Sequence, residues 1–274
     1  MKIGIIGGTG GMGTLFSEVF KKAGHEVFIV GRKTKMTRED AARISDVIII
    51  SVPIRDTISV IHEIAPLLRE HQVLADFTSL KISQVKAMLT SKARVIGLHP
   101  MFGPTVQTIR GQTIVATPAR CHEEDLRFFV KIFENQGARV TITTPAEHDR
   151  MMAVIQGLTH FKAILLAGTM RRLGISPADT ESFMSPVYRI ETGIAGRLLA
   201  QNPELYADIL CMNPQVPDVL EKCQQAFLET LSMIKNGDKD AFTEEFLASR
   251  EWYGSFCNQA EKDTDFLIQA MVNR

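Results

Sequence analysis

The chain has 274 residues, 45% apolar and 23% charged, with 31 Lys and Arg side chains balanced by 31 Asp and Glu. This is a globular composition, long enough for two domains, and it excludes a disordered or low-complexity chain. The formal charge of zero argues against a nucleic-acid groove or a polybasic membrane surface as the main partner.

In chain order, Lys2–Ile6 predicts a short strand that runs into glycines, too short for the apolar core of a signal peptide. Gly11–Ala23 predicts a helix with Leu15, Phe16, Val19 and Phe20 on one face and Gly24 as its stop. Glu26–Val30 is the next strand, a short helix follows near Thr37–Ile44, and Asp46–Ser51 reads as a fully buried strand. Thr57–Leu68 carries Ile58, Ile61, Ile64 and Leu68 at helical spacing, with Pro66 disturbing its last turn. Val73–Asp76, Arg94–Gly97, Thr113–Thr117 and Arg139–Thr143 complete the strands. Val/Ile runs separated by helices predict an α/β domain: a doubly wound, Rossmann-like parallel sheet covered on both faces.

At Thr144 the pattern changes. Thr144-Pro145-Ala146-Glu147 is a capping box with proline at the first helical position. The chain therefore divides into residues 1–143 and an all-α domain over 144–274, with breaks at Gly174–Pro177, Asn202–Pro203, Asn213–Pro217 and Asn236–Asp238. The helix from Pro145 to about Leu173 is apolar on more than one face, so it calls for burial on several sides, as in an interlocked dimer. No apolar run is expected to reach the roughly 20 residues of a membrane helix. Cys121, Cys211, Cys223 and Cys257 lie far apart without a CxxC, which suits reduced thiols in a cytoplasmic protein. HExxH and calcium-loop patterns are absent, and no metal is expected.

Gly8-Thr9-Gly10-Gly11-Met12-Gly13 fits GxGxxG between a strand and an amphipathic helix, the context of a dinucleotide site. Gly8 serves the tight turn, Gly10 the close approach of backbone to pyrophosphate, and Gly13 the packing of helix on strand. Ser51 and Pro53, at the end of the third strand, are assigned to the same cofactor site. An NAD site normally has an acid after the second strand. Gly31-Arg32-Lys33-Thr34 stands there instead, so Arg32 can clamp a 2′-phosphate and Lys33 adds charge. NADP is expected ahead of NAD, although Arg32 stacked on adenine would admit either.

Gly97-Leu98-His99-Pro100-Met101-Phe102-Gly103-Pro104 follows a sheet strand, where a doubly wound sheet binds its ligands. Together with DFTSLK (Asp76–Lys81), EHDRMMAVIQGLTHF (Glu147–Phe161) and PVYRIETGIAGRLLAQNPELYADIL (Pro186–Leu210), this segment resembles the prephenate dehydrogenase family. The resemblance is closest to the dehydrogenase half of the bifunctional chorismate mutase–prephenate dehydrogenases, and it runs over nearly the whole chain.

The resemblance implies a dinucleotide-binding domain followed by a helical dimerisation domain. It also implies oxidative decarboxylation of prephenate to 4-hydroxyphenylpyruvate for tyrosine, with arogenate as the substrate of some members. By resemblance His99 bonds the substrate's ring hydroxyl, and Ser79 supports both. Arg197 holds the ring carboxylate, and His160 lines the substrate pocket. On the residues alone Ser79 also reads as a helix cap, Arg197 as a salt-bridge partner, His160 as a core histidine and His148 as structural. The chain has no room for a mutase domain, so that activity is not expected. Two other readings remain: a different NADP-dependent oxidoreductase, such as a β-hydroxyacid dehydrogenase, and a catalytically silent NADP sensor.

Overall fold

The computed structural model describes residues 1–273. It divides into two compact units, one formed by Met1–Ala153 and Ala207–Asn213, the other by Val154–Tyr206 and the chain from Pro214 on.

The first unit alternates strands and helices in the order β1 (Lys2–Ile6), α1 (Gly11–Lys22), β2 (Glu26–Val30), α2 (Arg38–Ile44), β3 (Val47–Ile50) and α3 (Ile54–Ile64). There follow β4 (Val73–Asp76), α4 (Ile82–Met88), β5 (Arg94–Pro100), β6 (Thr113–Arg120), α5 (Glu123–Glu134), β7 (Arg139–Ile142) and α6 (Pro145–Met152). One seven-stranded sheet results, in the order β2-β1-β3-β4-β5-β6-β7. The first five strands are mutually parallel, whereas β6 runs against β5 and β7 runs with β6. The sheet is thus mixed where the sequence pointed to a parallel one. The cause is local: Met101–Gln112 joins β5 to β6 without a helix, and only a parallel neighbour requires a helical crossover.

Side chains alternate across the buried strands. Ile3, Val47, Ile49, Ile96 and Leu98 pack with Phe16 and Phe20 of α1 and Phe129 and Phe133 of α5. Ile48, Ile50, Leu74 and Val95 meet Ile61 and Ile64 of α3 and Val85 and Met88 of α4 on the opposite face. Burying each such side chain contributes about 1.5–3 kcal/mol, which explains runs that are apolar at every position. Helix α3 begins at Ile54, ahead of the expected Thr57, with Pro53 as its N-cap residue, and the Thr57 hydroxyl donates back to the Pro53 carbonyl (3.0 Å). Pro66 closes it in a 3₁₀ turn over Ala65–Leu67.

Ala207–Asn213 joins this unit through side chains. The Arg55 guanidinium donates to the Asp208 carboxylate at 2.9–3.1 Å, Ile209 packs on Ile54 and Leu80, and Asn213 Nδ2 donates to the Asp149 carbonyl (2.9 Å).

The second unit is helical: α7 (Thr159–Leu173), α8 (Pro186–Leu199), the start of α9 (Pro203–Cys211), α10 (Val216–Asn236), α11 (Lys239–Tyr253) and α12 (Phe256–Val272). Gly174 and Gly237 end α7 and α10 with φ of 70° and 66°, a left-handed conformation that costs glycine nothing. Around Ala163, Ala195 and Leu198 the packing is close, with Leu166 and Tyr206 at its edge. Large apolar side chains elsewhere face outward, among them Phe183 (86% exposed) and Trp252 (90%). A π turn over Ala153–Leu158 connects α6 to α7. The continuous run Pro145–Leu173 is, by length and composition, long and apolar enough to cross a membrane, which corrects the sequence expectation. Beyond Arg150 its polar residues come one or two at a time between apolar ones, so inspection for an uninterrupted apolar stretch misses it.

Candidate active site

The strand order reverses between β1 and β3, the place where an open α/β sheet binds its ligand beyond the strand ends. The carboxyl ends of these strands touch: the Ser51 amide donates to the Ile6 carbonyl at 2.7 Å. Gly7, not Gly8, takes the left-handed conformation of the turn (φ 87°), and a Cβ on it would collide with the Ser51 carbonyl. A Cβ on Gly13 would lie 2.5 Å from the Gly7 carbonyl oxygen and from the Gly8 Cα, so α1 packs against the turn only because residue 13 is glycine. Gly10 precedes α1 with no side-chain cap, and its first turn holds no acid. The amides of Gly11, Met12 and Gly13 therefore present a positive helix end, a cradle that fits a pyrophosphate. Gly13→Val is expected to weaken dinucleotide binding at least about tenfold, ~1.4 kcal/mol, in a calorimetric titration.

After β2, Thr34 Oγ1 accepts from the Gly31 amide (2.9 Å), and the Thr9 side chain occupies the space where Gly31 lacks a Cβ. This turn leaves Arg32 and Lys33 exposed, and nearby Asp40 is engaged in the Thr37 capping box of α2. Pro53 is exposed at the start of α3, with Ser51 half-buried two residues before it.

His99 lies within β5, opposite Val115 of β6, and not after the strand as the sequence suggested. It is 2% exposed, with Nδ1 2.8 Å from His148 Nε2. His148 Nδ1 is in turn 2.7 Å from Asp149 Oδ1. The Asp149 carboxylate also accepts from the amides of Lys81 (2.8 Å) and Ile82 (2.9 Å), so it caps α4 from a distant segment. Ser79 does not act as that cap; it is half-buried, and its hydroxyl makes no hydrogen bond among the described residues.

Beneath His99, the fully buried Lys81 ammonium binds Asp76 and donates to the Leu98 carbonyl (3.0 Å). Thr78 donates to the same Asp76 oxygen. A Cβ on Gly97 would stand 2.8 Å from Lys81 Cδ, so the glycine of the GLHP segment makes room for the lysine stem. Burial, and then the neighbouring His148 ring and the Lys81 ammonium, hold His99 well below the ordinary histidine range. Burial likewise lowers His148 and Lys81, against the pull of nearby carboxylates. Five residues beyond His99, the Pro104 ring sits where a Cβ on Gly11 would be (2.7 Å), so this segment lies on the glycine turn.

Arg197 and His160 belong to the second unit. The His160 ring meets Tyr206 edge-on at 4.9 Å, and burial lowers its pKa. Arg197 is exposed, and its charge opposes the rise that burial imposes on the Tyr206 hydroxyl. His160 thus packs on Tyr206, and Arg197 acts on the same hydroxyl through its charge. The sequence reading missed Tyr206, along with Lys81, Asp76 and Asp149. Each lies inside a motif quoted above, and a lysine between apolar neighbours in DFTSLK is the signal that could have been followed.

The prephenate dehydrogenase nucleotide-binding domain family matches residues 19–142, and the prephenate dehydrogenase dimerization domain family matches residues 144–248. The T-protein of Haemophilus influenzae is 34% identical over 269 residues, spanning 98% of this chain and 71% of that protein. A probable arogenate/prephenate dehydrogenase of Methanocaldococcus jannaschii is 33% identical over 293 residues, spanning 100% and 66%. The chain thus spans about two thirds of the length of these relatives. Among solved structures, prephenate dehydrogenase from A. aeolicus in complex with hydroxyphenyl propionate and NAD+ aligns with a TM-score of 0.73 at 18% identity, covering 91% of this chain and 96% of that one. Synechocystis arogenate dehydrogenase aligns at 0.68 and 21%, covering 92% and 100%. Glycine turn, strand order and helical half together define a nicotinamide-dinucleotide-binding domain joined to a dimerization domain. The chain belongs to the prephenate dehydrogenase family.

Proposed function

We propose that this chain is a cytoplasmic, homodimeric enzyme that oxidatively decarboxylates prephenate to 4-hydroxyphenylpyruvate, with NADP preferred to NAD. One observation carries the reading. A buried histidine of lowered basicity, His99, stands on the strand whose outgoing segment seats Pro104 against the dinucleotide turn.

The cofactor is held by the backbone of Gly8, Gly10, Gly11, Met12 and Gly13, with Ser51 and Pro53 at the end of β3. Arg32 and Lys33 read the 2′-phosphate, since a guanidinium matches a phosphate bidentately. When bound, the nicotinamide supplies a hydride acceptor. His99 accepts the proton of the ring hydroxyl as the oxygen becomes a carbonyl, help worth about 10²–10⁴ in rate. Ser79 supports the same hydroxyl. Arg197 binds the ring carboxylate and fixes its orientation. Its role stops at binding, because excess stabilisation of the carboxylate would oppose its departure as carbon dioxide. His160 lines the substrate pocket beside Tyr206. Loss of carbon dioxide restores an aromatic ring and draws the reaction forward.

Arogenate is the second reading, favoured by the name of the Methanocaldococcus jannaschii relative. Reduced-nicotinamide absorbance, followed with prephenate and with arogenate in the presence of NADP or NAD, tests both. The prephenate–NADP pair is expected to turn over fastest. Arg32→Ala is expected to lower kcat/KM for NADP by about tenfold or more, from loss of a charge-assisted hydrogen bond worth about 1.5–3 kcal/mol, and to affect NAD far less. Silence with both substrates and both cofactors would overturn the proposal.

A further inference from the structure

Which ring nitrogen of His99 bears the proton decides which one can act as base, a role that rests on the function proposed above. We propose that His148 is a positioning residue that locks His99 in the Nδ1–H tautomer and so leaves Nε2 as the basic nitrogen.

The chain of hydrogen bonds begins at its ionic end, Asp149. The Asp149 carboxylate already accepts two backbone amides, from Lys81 and Ile82, and an ionised carboxylate can only accept. His148 Nδ1, 2.7 Å from Asp149 Oδ1, must therefore carry hydrogen; a bare nitrogen there would set lone pair against lone pair. A neutral imidazole has one donor nitrogen and one acceptor, so His148 Nε2 is the acceptor. The contact of 2.8 Å between His148 Nε2 and His99 Nδ1 then requires hydrogen on His99 Nδ1. By the same rule His99 Nε2 is unprotonated. A charged His148 would reverse this result by pointing a second N–H at His99. His148 is 1% exposed with the buried Lys81 ammonium close by, and burial works against its charging. Asn213 fixes the backbone of the relay by donating to the Asp149 carbonyl (2.9 Å).

The alternative is that His148 only fills space. Phenylalanine would fill it equally well and carries no acceptor. Glutamine keeps an acceptor and a donor at similar separation, so its Oε1 can accept from His99 while its Nε2 donates to Asp149.

The experiment is long-range 1H–15N correlation on protein labelled at the histidine ring nitrogens, with the His99 signals assigned by their loss in His99→Asn. Wild-type protein near neutral pH is expected to show His99 in the Nδ1–H form, the minor tautomer of free histidine. His148→Phe is expected to release it to the Nε2–H form and to lower kcat about 10- to 100-fold, with KM for prephenate nearly unchanged. His148→Gln is expected to restore the Nδ1–H form and to recover at least about tenfold in kcat over the phenylalanine variant. An Nε2–H signal for His99 in the wild-type protein would overturn the proposal, whether or not either variant folds. Equal kcat in the phenylalanine and glutamine variants would do the same. Failure of wild-type protein to turn over prephenate would remove the proposed function instead, and the tautomer reading would stand or fall on its own spectrum.

Discussion

Replacing His99 by asparagine is expected to lower kcat with prephenate by two to four orders of magnitude, about 3–5 kcal/mol of transition-state stabilisation, while KM changes little. Asparagine keeps a polar side chain of similar reach but cannot take a proton, so the loss isolates base catalysis from binding. The pH profile supplies a second readout. Burial disfavours the imidazolium, a positive His148 beside it would repel a second positive ring, and the Lys81 ammonium adds to the effect, so the neutral form survives to lower pH than in free histidine. The acid limb of kcat/KM should therefore lie below pH 6.5, with activity level from there through neutrality. Asp76 and Asp149 are the acids beside this cluster; each is tied to the lysine segment, Asp76 through the ammonium and Asp149 through a backbone amide. An acid limb at or above the free-histidine value, or a variant with full turnover, would show that another group accepts the proton.

Lys81→Met is expected to be the most destabilising single substitution in the first unit, by about 3–5 kcal/mol. Both members of the Lys81–Asp76 pair are fully buried, and one oxygen of Asp76 has no hydrogen-bond partner among the described residues. Removing the ammonium leaves a carboxylate in the protein interior with, among the described residues, only the Thr78 hydroxyl and amide as donors. The urea midpoint should fall accordingly. A second change, Asp76→Asn, should recover a large part of the loss because it discharges the stranded group. Were the penalty instead a matter of packing, methionine, which follows the lysine stem past Gly97, would already have repaired it. No recovery in the double variant would therefore refute the electrostatic account.

Much of the first unit was legible because its signals are local. Val47–Ile50 is apolar at every position, as a strand covered on both faces must be, and Thr144-Pro145 announces a helix within four residues. The direction of β6 was not legible, since a buried strand reads alike either way and the decision lies in the segment before it. Long-range pairing hid the rest of the site. His148 reads as an ordinary first-turn residue behind the Thr144 cap, and only the fold brings it to His99, 49 positions away. Asp149 likewise caps a helix that begins 67 positions earlier. Room for the Lys81 stem comes from Gly97 on the neighbouring strand, which lacks a side chain. The residues taken from family likeness, His160 and Arg197, act on Tyr206, one by packing and the other by charge, and no spacing rule singles out its aromatic ring.

Ala207–Asn213 shows how little this fold obeys a single cut. The backbone leaves the first unit after Ala153, comes back for seven residues, and departs again at Pro214. Those seven residues provide the acid for Arg55, the apolar cover for Ile54 and Leu80, and the amide that holds the Asp149 carbonyl. A gene fragment that stops at the first crossing would encode every strand of the sheet yet lack a piece of that unit's own interior. The nucleotide-binding half is therefore not a cassette that recombination could pass intact to another protein. The backbone crosses between it and its helical companion three times, after Ala153, after Tyr206 and after Asn213.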